Sequence, residues 1–229
     1  MKILGMIAGV GPESTIDYYK NIIAFYRERQ PDGSYPQFVI NSINLKKGLD
    51  FMAVNNLAGM SSFLLEEIEI LARAGADFGL IAANTPHIVY DDVAPRSPIP
   101  LISIVEATCA AARMRGLKRA ALFGTKYTMQ ADFYPKVFSR EGIEVVPPEP
   151  ADQDYIHNKY LNELVPGNFL TETRTGLLAI VDRMKERIDS VILGGTELPL
   201  ILRAEAHNGV AFLDTGKIHC QAAVEQMFH

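Results

Sequence analysis

Two apolar runs in this chain stop in the same way. Residues 77–87 read Asp-Phe-Gly-Leu-Ile-Ala-Ala-Asn-Thr-Pro-His, and residues 189–199 read Asp-Ser-Val-Ile-Leu-Gly-Gly-Thr-Glu-Leu-Pro. Each run has the length of a buried strand and ends abruptly in small and polar residues. That is the pattern of a strand delivering its C-terminal end to a ligand crevice. Ala83 stands in the first copy where Gly195 stands in the second, and two such ends facing each other would enclose one small site. The likeness extends further. Leu101-Ile102 answers to Phe212-Leu213, Cys109-Ala110-Ala111-Ala112 to Cys220-Gln221-Ala222-Ala223, and Gly9 to Gly124. Solenoid units run to roughly 20–50 residues, so these longer copies read as whole lobes.

Between the copies, short apolar runs alternate with helical patterns. Strands are expected at residues 2–8, 38–41, up to 83, 101–104, 119–123, 144–146, 190–193 and 210–213. Helices are expected at 13–29, 57–74, 105–115, 129–140, 154–164, 172–187 and 217–228, with Lys46-Lys47-Gly48 in a loop. Such alternation implies parallel sheets with right-handed crossovers. The expected class is α/β: two pseudosymmetric three-layer α/β lobes with mostly parallel sheets. The first lobe is expected over 1–103 plus 214–229 and the second over 104–213. The repeat suggests that the last strand and helix return to complete the first lobe.

Composition narrows the function. A net charge of −5 argues against a nucleic-acid partner, which selects basic patches, but leaves a small anionic ligand open. Residues 1–5 lack the charged and apolar regions of a signal peptide, and Glu106 and Glu197 interrupt the longest apolar candidates for a membrane span. Two cysteines make no disulfide framework, so a cytoplasmic setting is the plain reading. No two of the five histidines stand at ligand spacing, so no metal is expected.

Each candidate site residue has a functional and a structural reading. Gly9-Val10-Gly11 departs from a dinucleotide fingerprint: Ser14 replaces the third glycine, and Glu13 would face a phosphate with like charge. The turn is either a glycine-requiring bend or a set of N–H groups for a carboxylate. Asn84-Thr85 and Thr196-Glu197 follow matching strands, where they would cap a helix or touch a ligand. Thr125 and Thr128 mirror the first turn and would bind a carboxylate or close an ST-turn. Lys46 and Lys47 supply charge for a second carboxylate or form a solvated loop. His87 and Glu197 are the titratable groups nearest the strand ends; Glu197 would hold an ammonium or act as a base, and His87 would pack or catalyse. Cys109 and Cys220, set among alanines, read as buried inert thiols.

Four motifs in order give the chain a resemblance. They are Gly9-Val10-Gly11-Pro12-Glu13-Ser14-Thr15, Ala83-Asn84-Thr85-Pro86-His87, Gly124-Thr125-Lys126-Tyr127-Thr128-Met129 and Gly194-Gly195-Thr196-Glu197-Leu198-Pro199. Together they resemble the aspartate/glutamate racemases over essentially the whole chain. The resemblance implies a substrate between two lobes, a homodimer, and inversion of acidic amino acids without pyridoxal phosphate, metal or other cofactor. It implies a cysteine before Asn-Thr and another before Thr-Glu, because inversion needs a proton from the face opposite the one it left. Here those positions are Ala83 and Gly195, and Val165 replaces the basic residue of some members. Two-thiol racemisation is therefore not expected. Three readings follow: replacement that traps a ligand, a natural branch using His87, Glu197, Thr85 or water, or a protein that only binds an acidic amino acid or dicarboxylate. On this reading Ala83→Cys with Gly195→Cys should create racemase activity.

Overall fold

The computed structural model describes all 229 residues, Met1–His229. The chain divides into Met1–Ile104 with Gly216–His229, and Val105–Thr215.

In the first unit β1 (Leu4–Ala8) is followed by α1 (Pro12–Arg29), β2 (Phe38–Ser42), α2 (Leu45–Ala53), α3 (Leu57–Arg73), β3 (Phe78–Ile81), α4 (Tyr90–Val93) and β4 (Leu101–Ile102). The sheet is parallel, in the order β2-β1-β3-β4. Side chains alternate across β1, as a strand's period of two requires. Leu4, Met6 and Ala8 pack with Tyr18, Ile22 and Tyr26 of α1 and with Cys220 and Val224 near the C-terminus. Ile7 packs on the other face with Met60, Leu64, Ile68 and Leu71 of α3. A strand covered on both faces reads as one continuous apolar run.

The second unit takes in α5 (Ile104–Met114), β5 (Arg119–Gly124), α6 (Lys126–Gln130), α7 (Phe133–Phe138), β6 (Glu144–Val146) and α8 (Pro150–Lys159). A wide π turn, Tyr160–Leu164, extends α8, with the Val165 N–H reaching the Tyr160 carbonyl at 2.9 Å. Then come α9 (Thr171–Met184), β7 (Ser190–Gly194), α10 (Leu198–Ile201), β8 (Ala206–His207) and β9 (Val210–Asp214). The sheet order is β6-β5-β7-β9-β8, parallel except for β8 against β9. The closing helix, α11 (Thr215–Met227), lies with the first unit from Gly216 onward. The α/β class with mostly parallel sheets is thus as expected.

Several elements differ from the sequence reading. The last strand does not return to the first unit: β9 pairs with β7, and only the helix after it rejoins. Lys46 and Lys47 lie in α2, not in a loop, because the Asn44 side chain accepts the Lys46 N–H at 3.0 Å and caps a helix there. The helix expected over 129–140 breaks between Gln130 and Phe133. Pro135 explains the break: its ring would strike the carbonyl of residue 131 in a continuous helix. In the β8–β9 hairpin, β8 lies outside the expected strands. Asn208 and Gly209, at φ 48° and 86°, form the two-residue turn that an Asn-Gly pair favours.

Candidate functional site

In the first unit the candidate residues cluster where β1 and β3 end. Gly9 takes φ 79°, and a Cβ there would lie 2.6 Å from Ser42 Oγ and 2.7 Å from the Ile43 carbonyl oxygen. Its N–H donates to Thr15 Oγ1 at 3.0 Å, and Thr15 and Ser14 both donate to the Gly11 carbonyl. The Gly9 amide is thus committed to the turn and not to a ligand carboxylate; Val10, half-buried, follows it. Gly9→Ala is expected to cost about 2–4 kcal/mol, through left-handed backbone strain plus overpacking. Urea unfolding reads this directly, and an unchanged midpoint would contradict it.

Beyond β3, Ala83 and Asn84 are buried, Thr85 is half-buried, and Thr85–Val89 forms a 3-10 turn with Pro86 in its first turn. His87 is 2 % exposed. Its Nδ1 lies 2.9 Å from the Ala83 carbonyl oxygen, and its Nε2 accepts the Ile104 N–H at 3.2 Å. An acceptor at Nε2 and a carbonyl at Nδ1 select the neutral Nδ1–H tautomer. Burial, followed by the proximity of His219, drives its pKa down to about 3. Tyr90 stacks on the ring, with centroids 5.2 Å apart. Both ring nitrogens are spent on backbone, so His87 braces this strand end.

His219, which the sequence did not single out, is built alike. Its Nδ1 lies 3.0 Å from the Tyr18 hydroxyl and its Nε2 3.0 Å from the Ile102 carbonyl oxygen, and burial pushes its pKa down to about 4. The two imidazoles therefore grip the chain at Ile102 and Ile104, where β4 runs into α5. Lys47 is exposed, with its Nζ 5.7 Å from the centre of the Phe63 ring.

In the second unit Thr125 caps α6: its Oγ1 accepts the Thr128 N–H at 3.2 Å and lies 3.1 Å from Thr128 Oγ1. These bonds fit the ST-turn reading of the pair, here closed at a helix start, and both threonines are buried. Beyond β7, Gly195, Thr196 and Glu197 are buried and lead to α10, whose Pro199 sits in the first turn. The Glu197 carboxylate is fully buried. Its Oε2 accepts hydrogen bonds from the Tyr160 hydroxyl and, at 3.2 Å, from Thr196 Oγ1. Burial first, then the charge of Glu197, holds the Tyr160 phenol well above the ordinary tyrosine value. Tyr160 also covers Gly195: a Cβ at 195 would lie 2.4 Å from the ring's Cε2 and 2.7 Å from Cζ. Sequence reasoning missed Tyr160, because it lies far from Gly195 in the chain and reads as one more helix residue.

The chain's two thiols, Cys109 and Cys220, are buried and free of disulfides. Burial pushes the Cys109 thiol up, and Cys220 Sγ lies 3.8 Å from the Tyr18 carbonyl oxygen. No group of three or more His, Cys, Asp or Glu stands together to hold a metal, and no helix is long and apolar enough to cross a membrane.

Residues 7–223 match the family model for Asp/Glu/hydantoin racemases. The chain belongs to that family. Among curated relatives it is 24 % identical over 203 residues to the broad specificity amino-acid racemase RacX of Bacillus subtilis, covering 87 % of each chain. Among solved structures it resembles an aspartate racemase homologue from Pyrococcus horikoshii, at 35 % identity, TM-score 0.83 and full coverage of both chains. A Picrophilus torridus aspartate racemase shares the fold at TM-score 0.83 and 19 % identity, over 100 % of this chain and 95 % of that one. Ala83 and Gly195, which lie at the ends of β3 and β7, carry a methyl group and a hydrogen.

Proposed function

We propose that this racemase-family chain takes a small acidic amino acid or dicarboxylate, and handles its Cα proton without the two-thiol route. The observation that supports this most is the pair of sulfur-free strand ends. Ala83 and Gly195 each precede a polar pair, Asn84-Thr85 and Thr196-Glu197, and then a proline-started turn. Neither side chain at 83 or 195 accepts a proton at any pH. Thr196, Thr125, Thr128, Asn84 and Thr85 offer hydroxyl and amide groups for carboxylates, Val10 lines the first turn, and Lys47 offers a cation. Glu197 is assigned to proton handling or to the ligand ammonium, and His87 to positioning. The names of RacX and of the aspartate racemase homologue support the amino-acid substrate class. The reading carries with it a homodimer in the cytoplasm that needs neither pyridoxal phosphate nor metal.

Both enantiomers of aspartate and glutamate, and a four-carbon dicarboxylate, are the probes. A ligand at 100 times its Kd is expected to stabilise the fold by about 2.7 kcal/mol, read as a rise in Tm. In D2O, proton NMR is expected to show Cα exchange without inversion for the amino acid that stabilises. Failure of all five to shift Tm would overturn the proposal. A second reading, a protein that binds and does not turn over, is favoured by the Ala83 methyl group. Its mark is stabilisation without exchange.

A further inference from the structure

Position 195 is empty of side chain, but its space is filled. The Tyr160 ring lies where a Cβ on Gly195 would be, so this strand end presents a phenol carried from another element. That phenol is not idle packing. Its hydroxyl donates to Glu197 Oε2, the same oxygen that Thr196 Oγ1 reaches, and Tyr160, Thr196 and Glu197 are all buried. Tyr160 opens the one π turn of the chain, Tyr160–Leu164. Such turns recur at functional sites, where they re-aim side chains. A carboxylate taken fully out of water is costly unless it is bonded or used.

We propose that Tyr160 and Glu197 form the proton-transfer pair of this strand end, with the Tyr160 hydroxyl acting on the substrate Cα and Glu197 acting behind it. The inference rests on the acidic amino-acid reading above. In the forward step the Cα–H bond breaks and leaves its electron pair on carbon. The proton passes to the Tyr160 oxygen while the phenol's own proton passes to the Glu197 carboxylate. The phenol is neutral before and after, and Glu197 ends as the neutral acid. The reverse step returns a proton to the same face of Cα. Because burial and the carboxylate both resist a phenolate, the relay through Glu197 is the route that avoids two adjacent anions. One such pair serves a single face of Cα, so the product keeps its configuration and acquires solvent deuterium.

Tyr160→Phe keeps the ring over Gly195 and removes the hydroxyl; Glu197→Gln keeps the shape and removes the proton acceptor. Each is tested in the full-length protein for Tm, for the Tm rise caused by aspartate or glutamate, and for Cα deuterium exchange. With both variants folded and still stabilised by the amino acid, exchange is expected to fall at least ~100-fold, within the range for a positioned acid–base group. Exchange by Tyr160→Phe at the wild-type rate would overturn the pair. So would a wild-type protein that is stabilised by the amino acid yet exchanges none of its Cα protons, which leaves the binding reading intact. Absence of any stabilisation in the wild type would instead overturn the binding reading, and this pair with it.

Discussion

Returning cysteines to positions 83 and 195 is expected to give an unstable protein without racemase activity, because Tyr160 stands in the way. The sequence alone suggested that Ala83→Cys with Gly195→Cys would suffice. In the fold, any Cβ on residue 195 meets Tyr160 ring carbons at 2.4 and 2.7 Å, closer than carbon atoms approach without displacement. The ring is buried and its hydroxyl is tied to Glu197, so it cannot swing aside cheaply. Gly195→Ala isolates the steric part and is expected to cost about 1–3 kcal/mol, the usual range for overpacking a core. In a Tyr160→Ala background the same substitution is expected to fall within about 0.5 kcal/mol of neutral, because the partner it strikes is gone. Urea unfolding of the four proteins gives the coupling. Equal costs in both backgrounds would show that the ring and residue 195 do not interfere. Racemisation, followed by optical rotation of aspartate and glutamate, is accordingly expected only from a triple variant, Ala83→Cys, Gly195→Cys and Tyr160→Ala. Activity in the double variant would contradict this.

Acidification from pH 7.5 to pH 5 is expected to remove about 4 kcal/mol of stability, of which His87 and His219 supply about 2 each. Both imidazoles are buried and neutral, with pKa values lowered to about 3 and about 4. In the unfolded chain they titrate near 6.5. The unfolded state therefore binds more protons than the folded state through this window, and stability falls as pH falls from about 6.5 towards the folded values. Half-buried His157, also lowered, adds in the same direction. Asp17, raised by burial, works in the opposite sense. Asp32 is held down to about 2 by Ser34 and Gln30 and contributes only at lower pH. Urea midpoints across the range measure the slope. Replacing His87 and His219 by Gln is expected to flatten it whatever the two substitutions cost at neutral pH. A wild-type midpoint unchanged between pH 7.5 and pH 5 would mean that these rings are not held neutral.

Much of the candidate site's local structure could be read from residues in order. Ala83 and Gly195 were placed at strand ends because a buried strand shows itself as an apolar run that stops abruptly, and that signal is local. The Thr125 cap was legible for the same reason, since a capping threonine and the amide it serves are three residues apart. Asn208-Gly209 carries an equally local signal for the β8–β9 hairpin. His87 was visible as a candidate, but its role was not. Whether an imidazole is a base or a brace depends on what its two nitrogens touch, and one of them touches Ile104.

Most of the strands, the parallel α/β class and the absence of sulfur at positions 83 and 195 follow from the chain read in order, because each rests on residues close together in sequence. What covers Gly195 does not. Tyr160, its bond to Glu197 and the grip of His219 on Ile102 join residues far apart in the chain. Such contacts form only once sheets and helices have packed, so tertiary structure alone decided which groups this racemase-family chain sets beside its strand ends.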